Sequence, residues 1–500
     1  MKLEFYGAAG GVTGSHAVLD ADNIRIGIDA GLFQGGDSDQ NQRGFGHDPR
    51  SLKSLLLTHA HIDHSGRVPL LVKEGFSGPV YSTPATEDLC EIMLKDSAYL
   101  MQEAADRENR HRDQRSGQSR PPLYTEEDVV DALKRFKPID YDKVQDIGGI
   151  SVKFMDAGHI IGSAMIELSI GNRKLIFTGD LGRRGAPFLR DPQTVNEADW
   201  LVIESTYGDR DHGDMAERGK RLVEVILGTM ERGGNVVIPA FAVGRTQEII
   251  YELNHYAEKG KLKGVKVFVD SPMAISATEI YRRHPEYFDE ETLRLLETGD
   301  NPLDFPGIKY ARSRDESKAI NELKEPHIII SASGMCTGGR VLHHLVQNIG
   351  RKDSTILFIG YQAEGTTGRR LLNGAKTIKI MNKELDVRAR IESLDTFSAH
   401  AGRTGMLNWL RSFKEFPSQV FVNHGEPEAS RSFAEAIRGE FDAEVVVPQA
   451  EIMMCGSFRS FMAFDSSLDL AYFIPGKSRG LSPVSRRRSV SSSKYSGWRL

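Results

Sequence analysis

Cysteine is scarce: the 500 residues contain 3, at Cys90, Cys336 and Cys455, with no CxxC pair among them. That argues against a disulfide framework and makes a reducing cytoplasm the simplest home. No apolar run approaches the ~18 residues a membrane span needs. The opening residues place Lys2 and Glu4 where a signal peptide needs an apolar core. No membrane partner is therefore expected. An excess of charge of either sign is also missing. Lys and Arg number 64 against 69 Asp and Glu, a net −5. Such a chain does not coat nucleic acid by bulk charge, although a local basic groove remains open to it.

That small net charge is an average. From Gly476 to Leu500 there are seven positive residues and no acidic ones, which leaves −12 on everything before them. The tail is rich in Ser around Arg486-Arg487-Arg488-Ser489 and reads as disordered. The remainder, with 39% hydrophobic and 27% charged residues overall, has the make-up of a folded globular protein. Its length suggests two or three domains at ~150 residues each.

What is present is a series of short apolar strands that end in polar residues. Ile24 to Asp29 alternates with period two, and Leu55-Leu56-Leu57 runs into Thr58-His59. Val152 to Met155 ends at Asp156-Ala157-Gly158-His159, Leu175 to Thr178 at Gly179-Asp180, and Leu201 to Ile203 at Glu204. Polar groups at strand ends are candidates for a site along a sheet edge. A helix is expected from Ala85 to about Ala105, with Leu89, Met93 and Leu100 on one face. The stretch from Arg107 to Arg120 reads as a mobile surface insertion. From about 215 to 390 the rhythm changes to alternating helix and strand, which suggests a parallel α/β unit.

The strongest chemical signal is His59-Ala60-His61-Ile62-Asp63-His64. Four potential ligands in six residues cannot all serve one ion, so the loop is expected to divide them between two. Imidazole and carboxylate without thiolate suit Zn²⁺, with Mn²⁺ as an alternative. Completing two sites needs ligands from other strand ends, and His159, Asp180 and His424 are the candidates. In this scheme His59, His61 and His159 hold one ion, and Asp63, His64 and His424 the other. Asp180 bridges them, leaving room for a hydroxide between the ions as the hydrolytic nucleophile.

At this point the chain resembles the metallo-β-lactamase superfamily, whose signature is His-x-His-x-Asp-His. The order of Asp29, the signature, His159 and Gly179-Asp180 matches as well. The flavodiiron relatives carry Glu where this chain has His61, which favours zinc. The resemblance implies that Asp29 orients the ligand loop from behind. Three further segments are similar to the motifs of the beta-CASP branch, which processes nucleic acids: Glu204 to Gly208, Ser398 to His400, and Val422 to Glu426. Pro239 to Arg245, Asp270 to Met273, Ser333 to Met335 and Gly360 to Ala363 resemble its RNA-cleaving members, and His424 is the RNA-type residue of the third motif.

The implied fold is α/β: an αββα metallo-β-lactamase sandwich with an inserted α/β beta-CASP domain. The expected division is 1–207 for the first part of the sandwich, 208–394 for the insertion, 395–455 for the return, and 456–500 for the tail. The implied activity is a two-zinc ribonuclease acting on single-stranded RNA, with endonucleolytic cleavage favoured over a 5′-to-3′ exonuclease mode. A small-molecule metallo-hydrolase and a catalytically silent RNA-binding scaffold are the other readings, and a homodimer is left open. Asp63 belongs to the catalytic set. His400, held charged by Glu204, is expected to protonate the leaving 3′-oxygen; that pairing rests on the resemblance. Arg245, near a helix start, is a candidate for a phosphate contact, an ordinary exposed Arg being the alternative. Ser333, Gly334 and Arg340, in a Gly-rich turn after the strand Ile328 to Ile330, are candidates to cradle a phosphate. His343-His344 reads as structural. Tyr361 and Phe33 are able to stack on bases, but core packing is their default.

Overall fold

The computed structural model describes residues 1–112, 121–214, 217–360, 362–363, 365–449 and 453–455. Tyr361, residues 113–120 and the basic tail lie outside them.

Two seven-stranded sheets lie face to face. The first runs, in spatial order, Met453–Cys455, Lys2–Gly7, His16–Ala21, Ile24–Ile28, Ser54–Leu56, Val80–Ser82 and Phe136–Pro138. The second runs Glu444–Val446, Gln419–Val422, Trp200–Ile203, Arg173–Phe177, Ala164–Ile170, Ile150–Asp156 and Val144–Ile147. Period-two alternation explains the stacking. Leu3, Phe5, Leu19, Ile26, Ile28 and Leu56 of the first sheet share one core with Phe154, Ile166, Leu168, Phe177 and Phe421 of the second. The residues between them point outward and need their own cover. Val18, Leu55, Leu57 and Val80 meet the helices Val68–Lys73, Pro84–Arg112 and Glu126–Leu133. Met155, Met165, Ile176, Leu201 and Val422 meet the helices Arg403–Leu410 and Pro427–Glu440. The result is a helix–sheet–sheet–helix sandwich.

A third, six-stranded sheet is drawn from residues between Trp200–Ile203 and Gln419–Val422, neighbouring strands of the second sheet. It runs Ile308–Tyr310, Lys266–Val269, His327–Ser331, Val236–Pro239, Thr355–Ile359 and Arg390–Leu394, all parallel. Its four central strands are almost wholly buried, as the middle of a parallel sheet requires, while the edge strands Ile308–Tyr310 and Arg390–Leu394 are partly exposed. Ile328, Ile330, Leu357 and Ile359 face one core, and Ile329, Ile356 and Phe358 face another.

Two expectations need correction. The long helix runs Pro84–Arg112, so Arg107 to Arg112 belongs to it and not to a mobile insertion. Leu89 and Met93 are buried, but Leu100 is 48% exposed. Leu100 lies on the same helical face, where burial has ended; Ala98 is the last buried residue. Phe33 is buried beneath Arg67, whose guanidinium carbon sits 4.7 Å from its ring centroid, so packing is its role. Among the described residues no helix is long and apolar enough to cross a membrane.

Candidate metal centre

The sandwich brings the carboxyl ends of its central strands to one edge, and the polar residues that follow them meet there. Asp29 follows Ile24–Ile28, the His59-to-His64 segment follows Ser54–Leu56, and His159 follows Ile150–Asp156. Asp180 follows Arg173–Phe177, Glu204 follows Trp200–Ile203, and His424 follows Gln419–Val422. The backbone is bent sharply to do this. Asp29 and His424 have φ of 57° and 50°, values that non-Gly residues hold at a cost of about 1–3 kcal/mol. Gly31 is needed for a second reason. A Cβ there would stand 1.6 Å from the Asp63 carbonyl oxygen, so only glycine lets the ligand loop close against it.

The donor atoms fall into two groups. In the first, His61 Nδ1 lies 3.2 Å from both His59 Nε2 and His159 Nε2. Asp180 Oδ2 lies 3.4 Å from those same two Nε2 atoms. Four donors around a tetrahedral zinc at 2.0–2.1 Å stand about 3.3–3.4 Å apart, so this spacing fits one. In the second group His64 Nε2 is 3.0 Å from His424 Nε2, which is 3.8 Å from Asp63 Oδ2. Asp180 Oδ1 is 3.2 Å from His64 Nε2 and 3.5 Å from His424 Nδ1. The two oxygens of Asp180 thus face different groups. Asp180 Oδ1 is buried without a hydrogen bond. Convergent imidazoles and an unbonded carboxylate oxygen form a donor set that a divalent cation would complete.

The local field prepares these donors. Burial lowers the pKa of His59 and His159 and takes His61 down to about 3, so these rings are neutral and offer lone pairs. At Asp63 burial works upward, but the His424 contact and the His64 charge outweigh it and hold the carboxyl below its usual range. His64 is oriented from behind. Its Nδ1 donates to Asp29 Oδ2 at 2.7 Å; burial opposes its charge, but Asp180 and Asp29 outweigh burial and raise its pKa, so a bound cation would have to displace the proton on Nε2. Asp29 Oδ1 accepts the Thr58 N–H at 2.8 Å and the Thr58 hydroxyl at 3.0 Å. The sequence places Thr58 at a strand end beside the first histidine but gives it no role; its tie to Asp29 is a contact across 29 positions.

Glu204 and His400 meet beside this cluster, although 196 positions separate them. His400 Nδ1 is 3.0 and 3.1 Å from the two Glu204 oxygens. Glu204 is held in turn by the Leu181 N–H at 2.6 Å. The other ring nitrogen, Nε2, lies 3.9 Å from Asp180 Oδ2. Burial opposes the charged ring, but Glu204 and Asp180 outweigh it and raise the His400 pKa to about 9. A protonated Nε2 facing Asp180 is the kind of group a general acid needs.

The proposed phosphate contacts fare differently. Arg245 is not exposed: it is buried and ion-paired with Glu248. The cavity that it and His159 line measures about 20 Å³, room for a water and not for a phosphate. Arg340 braces its own loop. Its guanidinium donates to Asp270 at 2.7 Å and to the carbonyls of Ala311 and Arg312 at 3.0 and 2.8 Å. Ser333 and Gly334 sit in the turn after His327–Ser331, with Gly334 against Phe241 and its carbonyl accepting from Gln362 at 3.1 Å.

Known proteins share this organisation. The metallo-beta-lactamase superfamily model matches residues 28–224, the Beta-Casp domain model 246–371, and a Zn-dependent metallo-hydrolase RNA specificity domain model 384–448. A ribonuclease of Thermus thermophilus is 36% identical over 442 residues, covering 88% of this chain and 97% of the relative. The transcription termination factor FttA of Methanosarcina mazei is 34% identical over 439 residues, covering 84% of this chain and 66% of the factor. A crystal structure of a protein of unknown function from Enterococcus faecalis superposes with a TM-score of 0.51 at 13% identity. It covers 91% of this chain and 99% of that one, a likeness of fold alone.

Proposed function

This chain belongs to the metallo-beta-lactamase superfamily and to its Beta-Casp group of metal-dependent hydrolases, and we propose that it is a zinc ribonuclease that cuts single-stranded RNA internally. The substrate class draws on relatives named a ribonuclease and a transcription termination factor, and on the RNA specificity segment at 384–448. We assign 208–394 to the inserted domain and 395–455 to the return of the sandwich.

In this reading His59, His61 and His159 hold one ion, Asp63, His64 and His424 hold the other, and Asp180 serves both. Two zinc ions bound there would neutralise charge on the scissile phosphate and provide hydroxide at neutral pH. The chain's own groups do the rest. Asp29 holds the Nδ1 proton of His64, so that Nε2 would be the nitrogen that gives up its proton and coordinates. Glu204 keeps His400 protonated, and His400 passes its Nε2 proton to the leaving 3′-oxygen. In the turn after His327–Ser331 the Ser333 N–H is taken by the Gly338 carbonyl at 3.4 Å, and the Gly334 amide would be the one to meet a neighbouring phosphate.

The observation that carries the proposal is Asp180 facing both donor groups, with the Glu204-held His400 beside it. The test uses RNA labelled at the 5′ end and, separately, throughout, with and without chelator. Metal-dependent internal fragments support the reading. Mononucleotides released from the 5′ end would make it an exonuclease, and chelator-insensitive or absent cleavage would refute it.

A further inference from the structure

A buried ion network outside the ligand set ties the six-stranded unit to the metal edge. Glu248, on the helix Arg245–Glu258, accepts from three arginines. Arg183 Nη2 reaches Glu248 Oε1 at 2.6 Å and Arg218 Nη1 reaches the same oxygen at 3.1 Å, while Arg245 pairs with Oε2. Arg218 also binds Glu252 at 2.6 Å. All five side chains are about nine-tenths buried.

Arg183 is the member that matters for chemistry, because its loop carries everything else. Three residues before it stands Asp180, which faces both donor groups. Leu181 donates its N–H to Glu204 at 2.6 Å, and its carbonyl accepts the Ala401 N–H at 2.7 Å. Gly182 bridges to His400 and donates to the Ala157 carbonyl at 2.8 Å. Four consecutive residues therefore touch the ligand carboxylate's position, the acid's carboxylate partner and the acid's own backbone. The fourth is anchored in the other sheet's layer. Arg183 also donates to the Thr396 carbonyl, at the start of the turn that leads to His400.

We propose that Arg183 and Glu248 are positioning residues: their buried pair transmits the seating of the six-stranded unit to Asp180 and to the Glu204–His400 pair. The inference rests on the reading of those groups given above. It predicts that the reaction senses the inserted layer through one guanidinium and not through loose proximity. Removing one partner of a buried pair also costs stability, so a merely structural role must be separated. Arg218 supplies the control. It shares Glu248 Oε1 with Arg183, pairs with Glu252 and lies 5.5 Å over the Phe397 ring, but it is not part of the Asp180–Arg183 segment, so it isolates what that segment contributes.

The experiment compares the full chain with Arg183→Met, Glu248→Gln, the double variant and Arg218→Met. Melting temperature, zinc affinity by chelator competition, and kcat and KM for RNA cleavage are measured on each. Direct contacts to a metal ligand typically change affinity about 10–100-fold when lost; Arg183 acts one step removed, through the Asp180–Gly182 backbone, so a loss of about tenfold is expected for Arg183→Met, with kcat falling comparably and KM little changed. The double variant should be no worse than the worse single. Arg218→Met should melt as early but keep zinc affinity and kcat within about threefold, because Arg218 shares Glu248 Oε1 with Arg183 but stands outside the chain segment that runs from Asp180 to Arg183. Arg183→Met matching Arg218→Met in zinc affinity and kcat would overturn the inference. If the double variant shows the summed effects of the singles, it is overturned as well. Should Arg183→Met lose its fold, Arg183→Lys keeps the charge while shortening the fork, and the same comparison is made on it. An unaltered protein that cleaves no RNA sinks the functional reading instead, while zinc affinity still tests the tie.

Discussion

Two buried His–Asp pairs stand at carboxyl edges of different sheets, and they end differently. In the six-stranded unit His344 Nε2 donates to Asp270 Oδ2 at 2.6 Å, and its Nδ1 lies 3.0 Å from Asn321 Oδ1. Asp270 also binds Ser317 and Arg340. No buried side-chain polar atom of that cluster lacks a partner, so it is complete as protein. In the sandwich His64 Nδ1 donates to Asp29 at 2.7 Å, but its Nε2 points into a space shared with His424 and Asp180. The residue types are the same, and only the second set gathers His and Asp donors from several strand ends close enough to share an ion. A satisfied network holds a fold, whereas an unsatisfied convergence holds a ligand.

The comparison breaks most visibly at Asp63. Asp63→Ala removes an oxygen donor from the second group, and RNA cleavage is expected to fall at least about a thousandfold, as when a two-metal clamp loses an ion. Zinc analysis should show one ion lost with it. His400→Ala comes next. Loss of a general acid costs about 10²–10⁴ in kcat, and here zinc content should stay at the parent level, separating acid from ligand.

The pH dependence sharpens the same point. A folded-state pKa raised above the ordinary value means that charged His400 contributes stability fully below about 6.5, lost as pH rises through about 9. Activity that needs the proton therefore fails on the alkaline side. Cations at Asp180 oppose the rise, so the metal-loaded limb should lie below pH 9. Glu204→Gln should move that limb further down, read from kcat against pH. Asp29→Asn follows in size. It lets His64 rotate and should weaken zinc binding about 10–100-fold by chelator competition. His344→Ala has the smallest effect on catalysis. It should cost about 1–3 kcal/mol in denaturant unfolding while zinc stoichiometry stays unchanged.

Much of this edge is legible in the chain itself. The signature from His59 to His64 is local, and the strand-end positions of His159, Asp180 and His424 follow from short apolar runs that stop at polar residues. Period-two alternation likewise foreshadows the sheets. Contacts that close over long separations are another matter. Glu204 and His400 are 196 residues apart, and only the resemblance joined them beforehand. Arg245 looks like a free cation because its partner Glu248, one helical turn on, reads equally well as a surface acid. Arg340 misleads in the same way, since Asp270 lies 70 positions before it. Burial decides what such charges do, and burial of loops is a tertiary property.

The most direct test of the two-group account is anomalous diffraction at the zinc edge from crystals of the zinc-loaded protein. Two peaks are expected, about 3.5–4 Å apart as in other two-metal sites, each bonded to one oxygen of Asp180. A single peak, or two peaks with Asp180 bonded to neither, would contradict it.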